Sequence, residues 1–97
     1  MTQMEMRLSR KEILSERLAQ KFESITIDER TCFLIKDGFV CRLDSMSEPY
    51  NALVIEYADN LELAKKGIFG EDGDLFYMDE MSESEMFEAM VREIEEL

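Results

Sequence analysis

Histidine and tryptophan are absent from these 97 residues, proline occurs once, at Pro49, and cysteine twice, at Cys32 and Cys41. Without histidine the chain lacks the one side chain whose ordinary pKa lies near neutrality. Ser-His and Cys-His nucleophile pairs, His-ligated zinc and imidazole acid-base steps are therefore excluded. The two cysteines are too few for a disulfide scaffold and have neither CxxC nor zinc-knuckle spacing, so they read as reduced structural thiols. The opening residues, Met1 to Arg7, enter charged sequence without an apolar run, and no stretch is long enough to span a bilayer. The expectation is a cytoplasmic protein that contacts no membrane. A chain of this length buries about 60 to 65% of its unfolded surface, enough for one modest core, and residues 1–97 read as a single domain without repeats or linkers.

The elements announce themselves unevenly. Ser9 with Glu12 is a capping box, and Ile13, Leu14, Leu18 and Phe22 form an apolar stripe, which predicts a helix from about Arg10 to Glu23. Ile25-Thr26-Ile27 alternates as a short strand would. Next come two β-prone runs, from Thr31 to Ile35 and from Phe39 to Leu43, on either side of Lys36-Asp37-Gly38, a strong hairpin signal. A two-residue Asp37-Gly38 turn places Leu34 and Cys32 on the face of Phe39, Cys41 and Leu43. A three-residue loop places Phe33 and Ile35 there instead. Both registers point Phe39, Cys41 and Leu43 at the core and leave Val40 and Arg42 on a half-apolar face, as in a sheet covered on one side.

The run Ala52-Leu53-Val54-Ile55 has no polar break and predicts a central strand over about Asn51 to Tyr57, with both faces at least partly covered. Asp59 or Asn60 then caps a short helix through Lys66, closed by Gly67 in the left-handed conformation. From Ile68 to Met78 the chain reads as a turn-rich loop ending in a possible short strand. Ser82 with Glu85 is a second capping box, and Phe87, Met90, Val91, Ile94 and Leu97 mark one face of a C-terminal helix. The fold class is α+β, a two-layer sandwich in the order helix, three or four antiparallel strands, short helix and C-terminal helix, with the long helices on one face of the sheet.

Charge is distributed as unevenly as the elements are. The chain carries 11 Lys and Arg against 23 Asp and Glu, a net of −12. Residues 1–44 hold eight charges of each sign, and residues 45–97 hold three basic against fifteen acidic, so the whole excess lies in the second half. Between Glu71 and Glu96 the single counter-charge is Arg92, within i,i+4 reach of Glu88. Glu83 and Glu85 suit the first turn of the last helix. Glu93, Glu95 and Glu96 oppose the dipole in its last turn, at about 0.3 to 1 kcal/mol each at low salt.

Two readings of that acidity stand open: it serves solubility, or it forms a surface for a positive partner. On the second reading Glu71, Asp72, Asp74, Tyr77, Asp79, Glu80, Glu83 and Glu85 form the partner-binding surface, with an aromatic set among carboxylates that steer. Nucleic acid and anionic membranes are excluded as partners by repulsion. The acids do not have EF-hand spacing, since Phe76 and Tyr77 stand where a ligand and a glycine are required, and Gly67, Gly70 and Gly73 match neither phosphate-loop nor dinucleotide patterns. No metal, cofactor or enzymatic activity is expected. The function that follows is a small acidic binding protein, an inhibitor or immunity-type protein that occludes a basic, nucleic-acid-handling partner. The alternative is an adaptor subunit or homo-oligomer that docks through a Met/Phe surface around Met78, Met81, Met86 and Met90, with acids serving solubility only.

Overall fold

The computed structural model describes residues 9–27, 32–46 and 49–97. The opening residues Met1 to Arg7, Thr31 at the start of the hairpin, and Ser47 and Glu48 beside the proline lie outside the described residues. Ser9 caps helix α1 (Arg10–Lys21): its hydroxyl accepts the Glu12 N–H at 3.2 Å, and its own N–H donates to the Glu12 carboxylate at 3.1 Å. The helix stops short of Glu23 because Phe22 turns extended and leads directly into strand β1 (Glu23–Thr26). Strands β2 (Cys32–Lys36), β3 (Phe39–Ser45) and β4 (Ala52–Ala58) follow, then helix α2 (Leu61–Lys65), strand β5 (Glu71–Tyr77) and helix α3 (Glu83–Glu95). The sheet is an antiparallel meander in the order β1-β2-β3-β4-β5. The α+β class stands, with five strands in place of the three or four expected.

Asp37 and Gly38 both take positive φ, 52° and 89°, the pair of left-handed residues that a two-residue hairpin turn with native twist requires. Lys36 accordingly pairs with Phe39 and Leu34 with Cys41. Leu34, Cys41 and Leu43 enter the core, but Phe39 does not: β4 ends opposite Val40, so no β4 residue flanks Phe39, which is 39% exposed.

Both long helices lie on one face of the sheet. Leu14 and Leu18 of α1 and Met86, Met90 and Ile94 of α3 pack on Leu34, Cys41, Leu43, Leu53, Ile55, Tyr57 and Phe76. The α3 stripe is rotated from expectation, with Met86, Met90 and Ile94 fully buried at i, i+4, i+8, Phe87 and Val91 half-buried, and Leu97 exposed. The second face is also covered, as the unbroken run of β4 predicts, and the cover extends over Val40, a residue expected on a half-apolar face. A five-residue α2 and Phe69 close over Phe33, Val40 and Ala58 as a smaller apolar cluster. Asn60 caps α2 by accepting the Leu63 N–H at 2.9 Å. Gly67, at φ 77°, ends it by donating to the Ala64 carbonyl at 3.0 Å while Ile68 donates to Leu63 at 2.9 Å. β4 is thus buried on both faces, and Glu56, its one charged residue, is neutralised by Arg42 at 2.7 Å, whose guanidinium lies 4.0 Å from the centre of the Phe69 ring.

Met90 has no exposed surface and sits between helix and sheet. Met90→Ala leaves a cavity there and is expected to lower the unfolding free energy by about 2 to 5 kcal/mol in urea denaturation, against a smaller loss for Phe39→Ala at the hairpin tip.

Candidate functional site

The acidic residues singled out in the sequence separate into two groups when placed on the fold. Glu71, Asp72, Asp74 and Tyr77 belong to β5, which is a strand along its whole length rather than a loop with a short strand at its end. Its glycine and acids disguise a pairing that β4 enforces, because a central strand buried on both faces leaves its ladder groups unsatisfied unless a neighbour pairs with them. Asp79 and Glu80 lie in the turn after β5, where the Asn51 side-chain amide donates to Asp79 at 3.5 Å. Arg10 holds that turn to α1 by donating to the carbonyls of Met78 at 3.5 Å and Met81 at 2.8 Å.

Glu83 and Glu85 serve the fold. Glu83 pairs with Arg17 at 4.0 Å, and Arg17 lies 4.0 Å over the Phe87 ring. Glu85 closes the capping box of α3, accepting the Ser82 N–H at 2.9 Å, and that hydrogen bond and the Ser82 hydroxyl hold its carboxyl below its ordinary range. The expected pair between Glu88 and Arg92 does not form; among the described residues neither makes an ion pair. Glu71, Asp72, Asp74, Asp79 and Glu80 are all exposed, and among the described residues none of the five is ion-paired.

Sequence reasoning missed the role of Glu93, which looked misplaced near the C-terminus of α3. Its carboxylate is half-buried, accepts the Tyr57 hydroxyl from β4 and accepts the Asp74 N–H from β5 at 3.0 Å. A β-bulge makes room for it. Val54 pairs with Leu75 and Glu56 with Asp72, so Ile55 alone faces both Gly73 and Asp74. A Cβ on Gly73 would overlap the Glu93 carboxylate, so only glycine leaves that space open. Burial first, and then the hydrogen bond and charge of Glu93, push the Tyr57 hydroxyl well above its ordinary range and keep it a donor. No sequence motif marks this arrangement. Its one outward sign is a glycine among the acids of β5.

Cys41 is buried, and burial, followed by the nearby Glu93 charge, pushes its thiol up to about 12, far from a nucleophile's range. Among the described residues no three His, Cys, Asp or Glu side chains are grouped to hold a metal ion. A shallow depression beside α2 is lined by Asn60, Leu61, Glu62 and Lys65 and holds a single carboxylate, so no pair of carboxylates faces across it. No described helix is long and apolar enough to cross a membrane. What the surface does offer is β5 as an exposed edge, with Glu71, Asp72 and Asp74 toward one end and Asp79 and Glu80 just past the other. The Glu93 contact to Asp74 brings the acidic end of α3, with Glu95 and Glu96 exposed, beside the first of these groups.

Tyr57→Phe removes one donor from the half-buried carboxylate, and Gly73→Ala drives the carboxylate away from both donors. Each is expected to cost about 1 to 3 kcal/mol of stability. In a urea double-mutant cycle the pair should fall short of additivity, since both act on one contact. Cys41 should react with a thiol reagent at pH 8 only as fast as the chain unfolds, and after half-buried Cys32. Because its folded pKa lies above the ordinary value of 9.0, the unfolded thiol ionises first. Stability therefore falls as pH rises from about 9 toward 12, with Tyr57 acting in the same direction, and the urea midpoint across that range reads the loss. No protein-family model matches the chain, and no curated protein or solved structure matches it either.

Proposed function

We propose that this chain is a small non-enzymatic binding protein whose acidic β5 edge meets a basic partner, acting as an inhibitor or immunity-type protein that occludes a positively charged, nucleic-acid-handling surface. The observation that carries this reading is the row of five exposed carboxylates, Glu71, Asp72, Asp74, Asp79 and Glu80, for which the described chain supplies no cation. Of the described basic residues, Lys11, Arg17, Lys36 and Arg42 form ion pairs with other acids and Arg10 donates to backbone carbonyls, while Lys21, Lys65, Lys66 and Arg92 form no ion pair with any of the five. A partner that grips phosphates presents the complementary field, and such complementarity acts mainly on the rate of encounter. Docking through methionines has less support. Met86 and Met90 are fully buried, and Met78 and Met81 are half-buried against the core.

The experiment is to capture the partner on the immobilised protein at low ionic strength and to measure association kinetics on the purified pair. Reversal of Glu71, Asp72 and Asp74 to lysine together is expected to slow association by roughly tenfold or more, and raising the salt should weaken the unaltered complex steeply. A complex indifferent to both would overturn the proposal.

A further inference from the structure

β5 is the last strand of the sheet, and the direction of its backbone groups can be read from the ladder. The Met78 N–H donates to the Asn51 carbonyl at 2.8 Å, while the Met46 N–H donates to the Ala52 carbonyl at 3.0 Å. Successive residues of the β4 chain therefore bond to opposite neighbours, Asn51 toward β5 and Ala52 toward β3. By that alternation Phe76 and Met78 turn their backbone groups inward, and Leu75 and Tyr77 turn theirs outward, where no described strand lies. The regular alternation ends at the bulge, where the Asp74 N–H, which would otherwise face β4, is taken by Glu93.

We propose that this open ladder accepts an extended basic segment of the partner as a sixth strand, a mode of binding that rests on the acidic-surface reading above and specifies how the partner is held. Main-chain hydrogen bonds to Leu75 and Tyr77 supply the attachment, and the flanking carboxylates select the sequence. Glu71, Asp72 and Asp74 precede the open residues, and Asp79 and Glu80 follow them. A matching segment carries lysine or arginine at both ends. Leu75 and Tyr77 pair with Val54 and Ala52 on the sheet face opposite the long helices, and their half-buried side chains ask for small apolar residues between those ends. A second copy of β5 fits poorly, because it would set carboxylates against carboxylates. The opposite edge, β1, has four residues and one charge, Glu23, so it exerts no comparable selection. Charges that blunt an edge against acidic or neutral strands attract a basic one.

The probe is a short synthetic peptide with lysines at each end around an alternating Thr-Val centre. It is compared with the same peptide N-methylated at alternate backbone nitrogens, which keeps every charge and loses the ladder donors. At low ionic strength the first peptide is expected to slow amide exchange at Leu75 and Tyr77 by roughly tenfold and to bind roughly tenfold more tightly than its methylated form. Equal binding of the two without protection of those amides overturns strand addition and leaves the acidic-surface reading standing. Binding of neither peptide also overturns strand addition, and if the salt-sensitive complex is absent as well, both readings fall.

Discussion

The structure depends on β4 being buried on both faces. Six of its seven residues are buried, so an antiparallel sheet that would otherwise need cover on one side needs it on two. One face receives the long helices, whose buried residues Leu14, Leu18, Met86, Met90 and Ile94 each contribute on the order of 1.5 to 3 kcal/mol by leaving water. The other receives the smallest cover that works, five residues of α2 and the ring of Phe69. The one charge on β4, Glu56, is tolerated because Arg42 neutralises it from the neighbouring strand and lies against that ring. With the faces committed to apolar packing, carboxylates are left with the ends of elements, the turns and the sheet edge.

The acids that remain fall into those the fold uses and those it does not. Glu12 and Glu85 close capping boxes, Glu56 and Asp44 pair with Arg42, Glu83 reaches Arg17, and Glu93 ties α3 to both β4 and β5. Glu93 is the instructive member. Considered along its own helix it opposes the dipole. Across the structure it accepts hydrogen bonds from a buried tyrosine and a bulge amide, which offset a local penalty of about 0.3 to 1 kcal/mol.

Features whose cause is local were legible in the sequence. Both capping boxes, the Asp37-Gly38 turn, the Asn60 and Gly67 ends of α2 and the unbroken apolar run of β4 each follow from a few neighbouring residues. Features whose cause is distant were not. The first part of β5, from Glu71 to Asp74, has a sequence of acids and glycine that no local propensity favours, and it is a strand because β4 needs a partner. Likewise, nothing near Val40 announces that α2 returns to cover it. The candidate surface was legible in part: Glu71, Asp72, Asp74, Asp79 and Glu80 are exposed as expected, but Glu83 and Glu85 have structural partners that counting charges cannot detect. The open backbone of Leu75 and Tyr77 is a property of strand order, which one sequence does not specify.

Protection of the edge does not by itself explain the sign of the charge on β5. A lone edge strand invites pairing with other chains, and any charge discourages that, lysine as well as aspartate. In a chain already at −12, lysine would blunt the edge equally and would also attract its surroundings, whereas each further carboxylate adds to the repulsion within the molecule. The difference is largest where Glu71, Asp72 and Asp74 approach the acidic end of α3 through Glu93, because charges separated by less than a Debye length of about 8 Å are only partly screened. Edge protection does not favour acids over bases at that spot. The surface proposed above to meet positive charge favours acids there, on β5, one of the two edge strands of the sheet.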